Sequence, residues 1–272
     1  MDGCHVRVQP NLRDALMQIR LKEKDRYIWI DALSIDQKLT EERNLQVKMM
    51  GNIYEDAQNI IVWLGPAKDD SNDAMDMFAE PNVLEQSFDG FEAAQLAAIL
   101  ALCERSYWRR VWIQQEVYLA QRFEVHCGSK CISDTNFSDA LGVVARNDDH
   151  FPDPRKIKES TAIALLLRKR APPRMNTLRV WILLSIRRSL EATEPRDFIY
   201  AMLGISHNCR GRLLPDYKKP LLEVYLETVA LCRQTGESLD HPRSFPCQLA
   251  GKLGLNYDEN LKRLISEFNT AT

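Results

Sequence analysis

The chain is poor in the signatures of the commonest ligand sites. It has 11 glycines in 272 residues. No G-x-x-x-x-G-K and no G-x-G-x-x-G occurs among them, which excludes a P-loop and a dinucleotide-binding turn. No apolar run reaches the roughly 20 residues of a membrane span. The longest, "AAQLAAILALC", is short and interrupted by Gln95. The N-terminal "MDGCHVRVQPN" lacks the apolar core of a signal peptide. Positive charge is not in excess: 36 Lys and Arg face 38 Asp and Glu, a net charge of -2. A generic nucleic-acid surface is therefore not expected. The seven cysteines are odd in number and scattered, as expected of free thiols in a reducing cytosol. Cys127 and Cys131 in "CGSKC" have no second pair, and no His-x-x-x-His accompanies them. A zinc site built on that spacing is not expected; the segment reads as a strand end followed by a turn.

What is present is enough apolar residue, 45% of the chain, for a sizeable core. The first 130 residues alternate between two periods. "NLRDALMQIR" places Leu12, Ala15, Leu16 and Ile19 at helical spacing behind a cap at Asn11. "YIWIDAL" reads as a buried strand. "TEERNLQVKMMGNIYEDAQ" reads as a helix capped by Thr40, with Glu41 and Glu42 favoured by its dipole and Val47, Met50, Ile53, Tyr54 and Ala57 on its inner face. "NIIVWLG" is a second buried strand, closed by Pro66 and the acidic "KDDSND". Helices follow from about Ser71 and around "AAQLAAILALC", and "FEVHCG" is a third strand. Helices between apolar strands imply crossovers, hence an α/β fold with a parallel sheet covered on both faces.

After residue 150 the chain turns mainly helical. "FPDPRK" and "RAPPRMN" read as connectors. Helical periods lie at about 157–169, 176–189, 195–203 and 220–235, the third with a cap at Thr193, Pro195 in its first turn and a stop at Gly204. The expected organisation is an α/β core over 1–150, a helical part over 151–225 that packs on it, and a tail over 226–272.

Within "RSYWRRVWIQQEVYLAQRF", counting by fours gives Trp108, Trp112, Glu116 and Ala120. In a continuous helix these share one face, so two indoles and a carboxylate stand in line. Paired tryptophans at that spacing usually pack in a core. Glu116 has a structural reading, an anchor paired with Arg109, and a chemical one, a functional acid in a partly dry pocket. Asp31 ends a strand, and strand carboxyl ends line ligand crevices in open parallel sheets. Asp31, Ser34, Asp36 and Gln37 are therefore candidates to edge a nucleotide pocket, or to brace local backbone. Glu42 and Arg43 lie beside them as an ion-pair lattice, and Asp197 suits a helix start.

Four blocks carry a family resemblance. "YIWIDALSIDQKLTEERNLQVKMMGNIYEDAQNIIVWLG", "YWRRVWIQQEVYLA", "EPRDFIYAMLGI" and "LLPDY" stand in the order seen in the fungal heterokaryon-incompatibility (HET) domain, which this chain resembles over roughly residues 1–225. Ser34 and Asp36 stand where that family usually has Cys and Asn. The family also has a Tyr-x-x-Leu-Ser-Tyr-x-Trp-Gly block and a strand upstream of "DGCHVRVQPNL"; the expectation is either a sheet short of that strand or one in which "HVRV" partly substitutes for it. The resemblance implies a TIR-like (flavodoxin-like) sheet, non-self recognition and programmed cell death. It also aligns Trp112 and Glu116 with the W-x-x-x-E segment in which many TIR domains carry a catalytic glutamate for NAD+ cleavage. On that basis Glu116 is the expected catalytic residue, and Asp31, Ser34, Asp36, Gln37 and Trp112 contact the substrate. NAD+ is then a substrate, no cofactor is required, and no metal takes part. The alternative implied by the same family is a non-enzymatic module that signals by self-association with an activating partner protein. Neither nucleic acid nor membrane is expected as a partner.

Overall fold

The computed structural model describes residues 6–21, 23–169, 172, 175–209, 211–233 and 239–271. In chain order its elements are α1 (Pro10–Ile19), α2 (Asp31–Ser34), α3 (Thr40–Asp56), β1 (Ile60–Trp63), α4 (Ser71–Ala79), α5 (Pro81–Ser87), α6 (Ala93–Cys103), α7 (Ile113–Leu119), β2 (Phe123–Cys127) and β3 (Lys130–Ser133). Then come α8 (Asp134–Arg146), α9 (Pro154–Lys158), α10 (Thr161–Lys169), α11 (Leu178–Arg187), α12 (Asp197–Leu203), α13 (Leu221–Cys232), α14 (Phe245–Lys252) and α15 (Glu259–Ala271). They form two compact units, each assembled from separated stretches. The first takes Met1–Ile30, Gln58–Trp108 and Arg122–Ala164; the second takes Asp31–Ala57, Arg109–Gln121 and Leu165–Thr272.

The first unit is built on a three-stranded sheet in the order β1-β2-β3. β1 and β2 are parallel, from Ile60 opposite Phe123 to Trp63 opposite His126. The crossover between them, with α4, α5 and α6, is the helix-rich connection that a parallel pair requires. β3 returns antiparallel to β2 through a turn at Gly128, whose φ of +55° suits glycine. Ile60, Val62, Phe123, Val125, Cys127 and Ile132 are all buried and alternate along their strands. They thus share one face of the sheet. α4 and α8 pack against the sheet. Phe78 of α4 meets Phe137 of α8 at 5.6 Å, and Trp108 stacks on Phe137 at 5.7 Å. α6 buries Leu96, Ile99 and Leu102, and its start is closed by a reciprocal Glu92–Gln95 capping box.

The fold is α/β, but the sheet is small and mixed rather than parallel throughout. "NIIVW" and "FEVHC" are adjacent parallel strands as their apolar runs imply. "YIWI" is not a strand: residues 25–30 have no regular structure, Tyr27 is 97% exposed, and the expected strand end at Asp31 opens the helical turn α2 instead. An apolar run reports a tendency to be buried; a strand also needs a neighbouring ladder, and among the described residues none pairs with this segment. Val6–Val8 are likewise irregular, and His5 of "HVRV" lies outside the described residues, as does most of "RAPPRM". "FPDPRK" contains the start of α9, with Pro154 in its first turn and the Asp153 carboxylate accepting from the Arg155 amide. Asn11 does not cap α1, which starts at Pro10; its side chain accepts a bond from Trp63 Nε1 instead. Thr40 and Thr193 make no cap either: α3 is preceded by Leu39 and α12 by Arg196.

The second unit is helical. α3 packs on α7 and α12, α11 on α12 and α14, and α13 on α14 and α15. α7 and α12 are short, but nearly every residue in them is buried. α3 and α12 approach closely at two glycines. A methyl group on Gly204 would lie 3.1 Å from Gly51 Cα and run into the Gln115 amide. Gln115 is 1% exposed and has little room to yield. Gly204→Ala is expected to destabilise the protein by about 1–3 kcal/mol, as overpacking does. Gly251→Ala, in α14 with open space around it, is expected to be neutral or stabilising by about 0.5 kcal/mol. Urea unfolding midpoints of the two variants check the pair.

Candidate functional site

The segment "RSYWRRVWIQQEVYLA" does not form the single helix that its spacing suggests. Ser106–Arg109 is a 3-10 turn, and α7 starts only at Ile113. Between them the backbone is diverted: Glu191 N donates to Arg109 O at 2.6 Å, and Val111 N donates to Glu191 O at 2.9 Å. A helix cannot continue through groups already committed to another segment. The stripe from Trp108 to Glu116 is therefore broken, and its two tryptophans belong to different units. Trp108 is a core residue of the first unit, 2% exposed, with Nε1 donating to Leu102 O. Trp112 is half-buried at the start of α7.

Trp112 Nε1 donates to Asp197 Oδ2 at 3.1 Å, and the Tyr217 hydroxyl donates to Asp197 Oδ1 at 2.6 Å. The Arg43 guanidinium lies 3.7 Å from the same Oδ1 and stacks over the Tyr217 ring at 3.5 Å. Next to it, Asn44 accepts from Tyr217 N and donates to Asp216 Oδ1. Burial pushes the Asp197 carboxyl up, while the bonds from Tyr217 and Trp112 and the charge of Arg43 draw it back in part. Burial and the adjacent Asp197 charge push the Tyr217 phenol up, so it stays a donor. Arg43, Trp112, Asp197 and Tyr217 come one from each of the four sequence blocks. Asp197 was legible only as a helix-start acid, and Tyr217 carried no signal of its own.

Glu116 lies one turn beyond Trp112 and is 9% exposed. Its Oε1 is 3.8 Å from an Arg110 guanidinium nitrogen. The expected partner Arg109 instead pairs with Glu191 at 3.8 Å. Tyr54 of α3 is held beside these groups: burial first, then the charges of Glu116 and Asp31, push its phenol well above the usual range, and Arg110 opposes them. The charges of Asp31 and Glu116 thus both act on one half-buried phenol that sequence reading placed only on a helix's inner face. Asp31 also caps its own turn, with Oδ1 accepting from Ala32 N at 2.7 Å. Ser34, at the end of α2, and Asp36 and Gln37, just after it, are exposed. Asp36 is engaged locally, its Oδ1 accepting from Lys38 N and its own amide donating to Glu42.

α7 is held at both ends. The Lys169 ammonium donates to the carbonyls of Val117, Tyr118 and Ala120 at 3.0, 3.0 and 2.5 Å, satisfying the C-terminal carbonyls where the dipole favours a cation. The middle of α7 carries an unusual polar load. Gln114 and Gln115 are each 1% exposed, and among the described residues both amide atoms of Gln114 and the oxygen of Gln115 have no partner. Groups of metal-ligating type come together in the first unit, at Glu124, His126 and Cys131.

Residues 1–116 match the family model described as Heterokaryon incompatibility protein (HET). The chain is similar to heterokaryon incompatibility protein 6, OR allele, of Neurospora crassa, at 25% identity over 284 aligned positions. The match covers 84% of this chain and 42% of that protein, so the chain spans less than half the length of the curated relative it matches. No solved structure matches the chain.

Removing the Asp197 carboxylate leaves an indole N–H, a phenol and a guanidinium without their acceptor. Asp197→Ala is expected to cost about 3 kcal/mol in unfolding free energy. Asp197→Asn retains one acceptor and turns an amide N–H toward the other donor, so its cost should be smaller. Urea denaturation monitored by tryptophan emission checks the order.

Proposed function

With residues 1–116 a heterokaryon incompatibility (HET) domain, we propose that the chain serves fungal non-self recognition leading to programmed cell death, and that it does so by cleaving the nicotinamide–ribose bond of NAD+ at Glu116. The observation that carries the catalytic reading is the buried Glu116 carboxylate, which lies 3.8 Å from the Arg110 guanidinium and whose charge, with that of Asp31, acts on the half-buried Tyr54. In the reaction the C–N bond breaks and its electron pair leaves with neutral nicotinamide. Water then supplies the oxygen of the new C–O bond and releases a proton. The transient state carries positive charge on the ribosyl carbon, which a poorly hydrated carboxylate stabilises. Glu116 takes that role, Asp31 accepts from the ribose hydroxyls, and Arg110, half-exposed, faces the pyrophosphate. Trp112, anchored on Asp197, holds the first turn of α7 and so the bearing of Glu116. The TIR-like character of the domain is part of this proposal. So are the contacts of Ser34, Asp36 and Gln37 with the nucleotide from their exposed turn.

Burying the unpartnered Gln114 amide and the unpartnered Gln115 oxygen beside Glu116 costs stability. Such departures from good packing concentrate where a segment serves chemistry. This supports the enzymatic reading over a purely architectural one for α7. The second reading, a non-enzymatic module acting by self-association, is favoured by a different observation: the Tyr27–Trp29 stretch leaves three large apolar side chains 97%, 39% and 38% exposed.

Glu116→Gln keeps the volume and removes the charge. It is expected to lower kcat by at least about 100-fold with little change in KM. Glu104→Gln, on an exposed side chain near Lys156, should leave turnover unchanged. Nicotinamide release followed by chromatography over a protein concentration series is the measurement. Full activity in Glu116→Gln would remove Glu116 from catalysis, and cell killing without any NAD+ loss would favour self-association.

A further inference from the structure

The hairpin of β2 and β3 carries chemistry that the sequence spacing conceals. Strand side chains alternate between faces. Phe123, Val125 and Cys127 are buried in the first unit's core, so Glu124 and His126 share the opposite face. The antiparallel register sets Cys131 directly across from His126. Cys127 and Cys131 therefore do not form a pair: their thiols leave opposite faces of the sheet. Cys131 instead joins a carboxylate and an imidazole. His126 Nε2 is 3.2 Å from Glu124 Oε2 and 3.4 Å from Cys131 Sγ. The donor atoms of all three residues lie within 4.8 Å of one another.

Two features of this hydrogen-bonded trio suit it to hold an ion. A nucleophile–base–acid relay uses both imidazole nitrogens, one toward the thiol and the other toward the carboxylate. Here the same Nε2 faces both, which suits convergence on a common point and not a relay. The separations also fit a shared ion. Zinc bonds of roughly 2.0 Å to oxygen, 2.05 Å to nitrogen and 2.3 Å to sulfur at tetrahedral angles imply an N···O edge of about 3.3 Å and an N···S edge of about 3.6 Å. The observed 3.2 and 3.4 Å fall close to both.

We propose that Glu124, His126 and Cys131 form a binding site for a divalent transition-metal ion of the zinc class, with three protein donors and a fourth position open to solvent. The mixed thiolate, imidazole and carboxylate set selects such ions over calcium and magnesium, which prefer oxygen alone. His126 is buried, Glu124 half-buried and Cys131 exposed, so the ion enters from the Cys131 side. Burial and Glu124 push the Cys131 thiol up while Arg26 draws it down; the ion takes the place of the thiol proton. Trp63 stands opposite His126 in the parallel register and shares its face, so its emission reports occupancy. The site lies wholly within the first unit and does not depend on the proposed role of Glu116.

The test is titration of cobalt(II) into the purified, reduced chain, followed by displacement with zinc(II). One equivalent should produce a thiolate-to-cobalt charge-transfer band and tetrahedral d–d bands, change Trp63 emission, and disappear on adding zinc. Cys131→Ser, on an exposed side chain, should abolish the charge-transfer band with an unchanged far-ultraviolet spectrum. Glu124→Gln should weaken binding by at least about tenfold, since losing even an outer-shell partner costs that much. Cys247→Ser should bind as the parent does. A folded parent that gives no thiolate band, or a band that persists in Cys131→Ser, would overturn the site.

Discussion

One buried carboxylate organises the second unit. Asp197 accepts from an indole and a phenol and lies beside a guanidinium. An ionised or polar group this deep is tolerable only with its lone pairs satisfied. The three groups come from segments far apart in the chain: α3, the start of α7 and the loop before α13. Satisfying one acid therefore fixes three segments at once. Arg43 adds to this by placing its guanidinium over the Tyr217 ring at 3.5 Å while lying 3.7 Å from the same Asp197 oxygen that the Tyr217 hydroxyl reaches. Asn44 ties the backbone of the same loop, and the Tyr200 hydroxyl donates to Asp216 O.

The bearing of Glu116 follows from that arrangement. α7 is a two-turn helix that would be marginal alone. Its first turn is anchored through Trp112, its last turn through Lys169, and the preceding residues through Glu191. Between those fixed points the Gln-Gln-Glu run has no freedom to relax its polar groups outward. The result is a poorly hydrated acid whose charge, with that of Asp31, acts on Tyr54, an environment in which a single charge has large electrostatic effects. The absence of a side chain at Gly51 and Gly204 lets α3 and α12 approach closely beside Gln115 of α7.

Among the described residues, periodicity located most helices and two of the three strands. "NIIVW", "FEVHC" and the helices near Ser71, Ala93, Leu178, Asp197 and Leu221 all declare themselves by apolar spacing and flanking turn residues. It failed where a partner decides the outcome. "YIWI" has strand composition but no ladder, and β3 has a weak, half-polar pattern yet pairs fully with β2. The stripe from Trp108 failed for a related reason: Glu191 captured the backbone at Arg109–Val111 and ended the helical register between the two tryptophans, while Trp112 and Glu116 kept their helical step, with Glu116 N donating to Trp112 O at 3.2 Å.

The sequence by itself determined the α/β alternation, the helical second half, the order of the four blocks and the segment that carries Glu116. These depend on local spacing and composition, which any short window contains. Only the tertiary structure decided which polar groups meet: Arg43, Trp112 and Tyr217 at Asp197, Arg110 with Glu116, and Glu124 and His126 with Cys131 across a hairpin. A side chain's partner depends on register, turn geometry and which face of a helix is buried. Residues 85 positions apart, such as Trp112 and Asp197, have no spacing rule to reveal them.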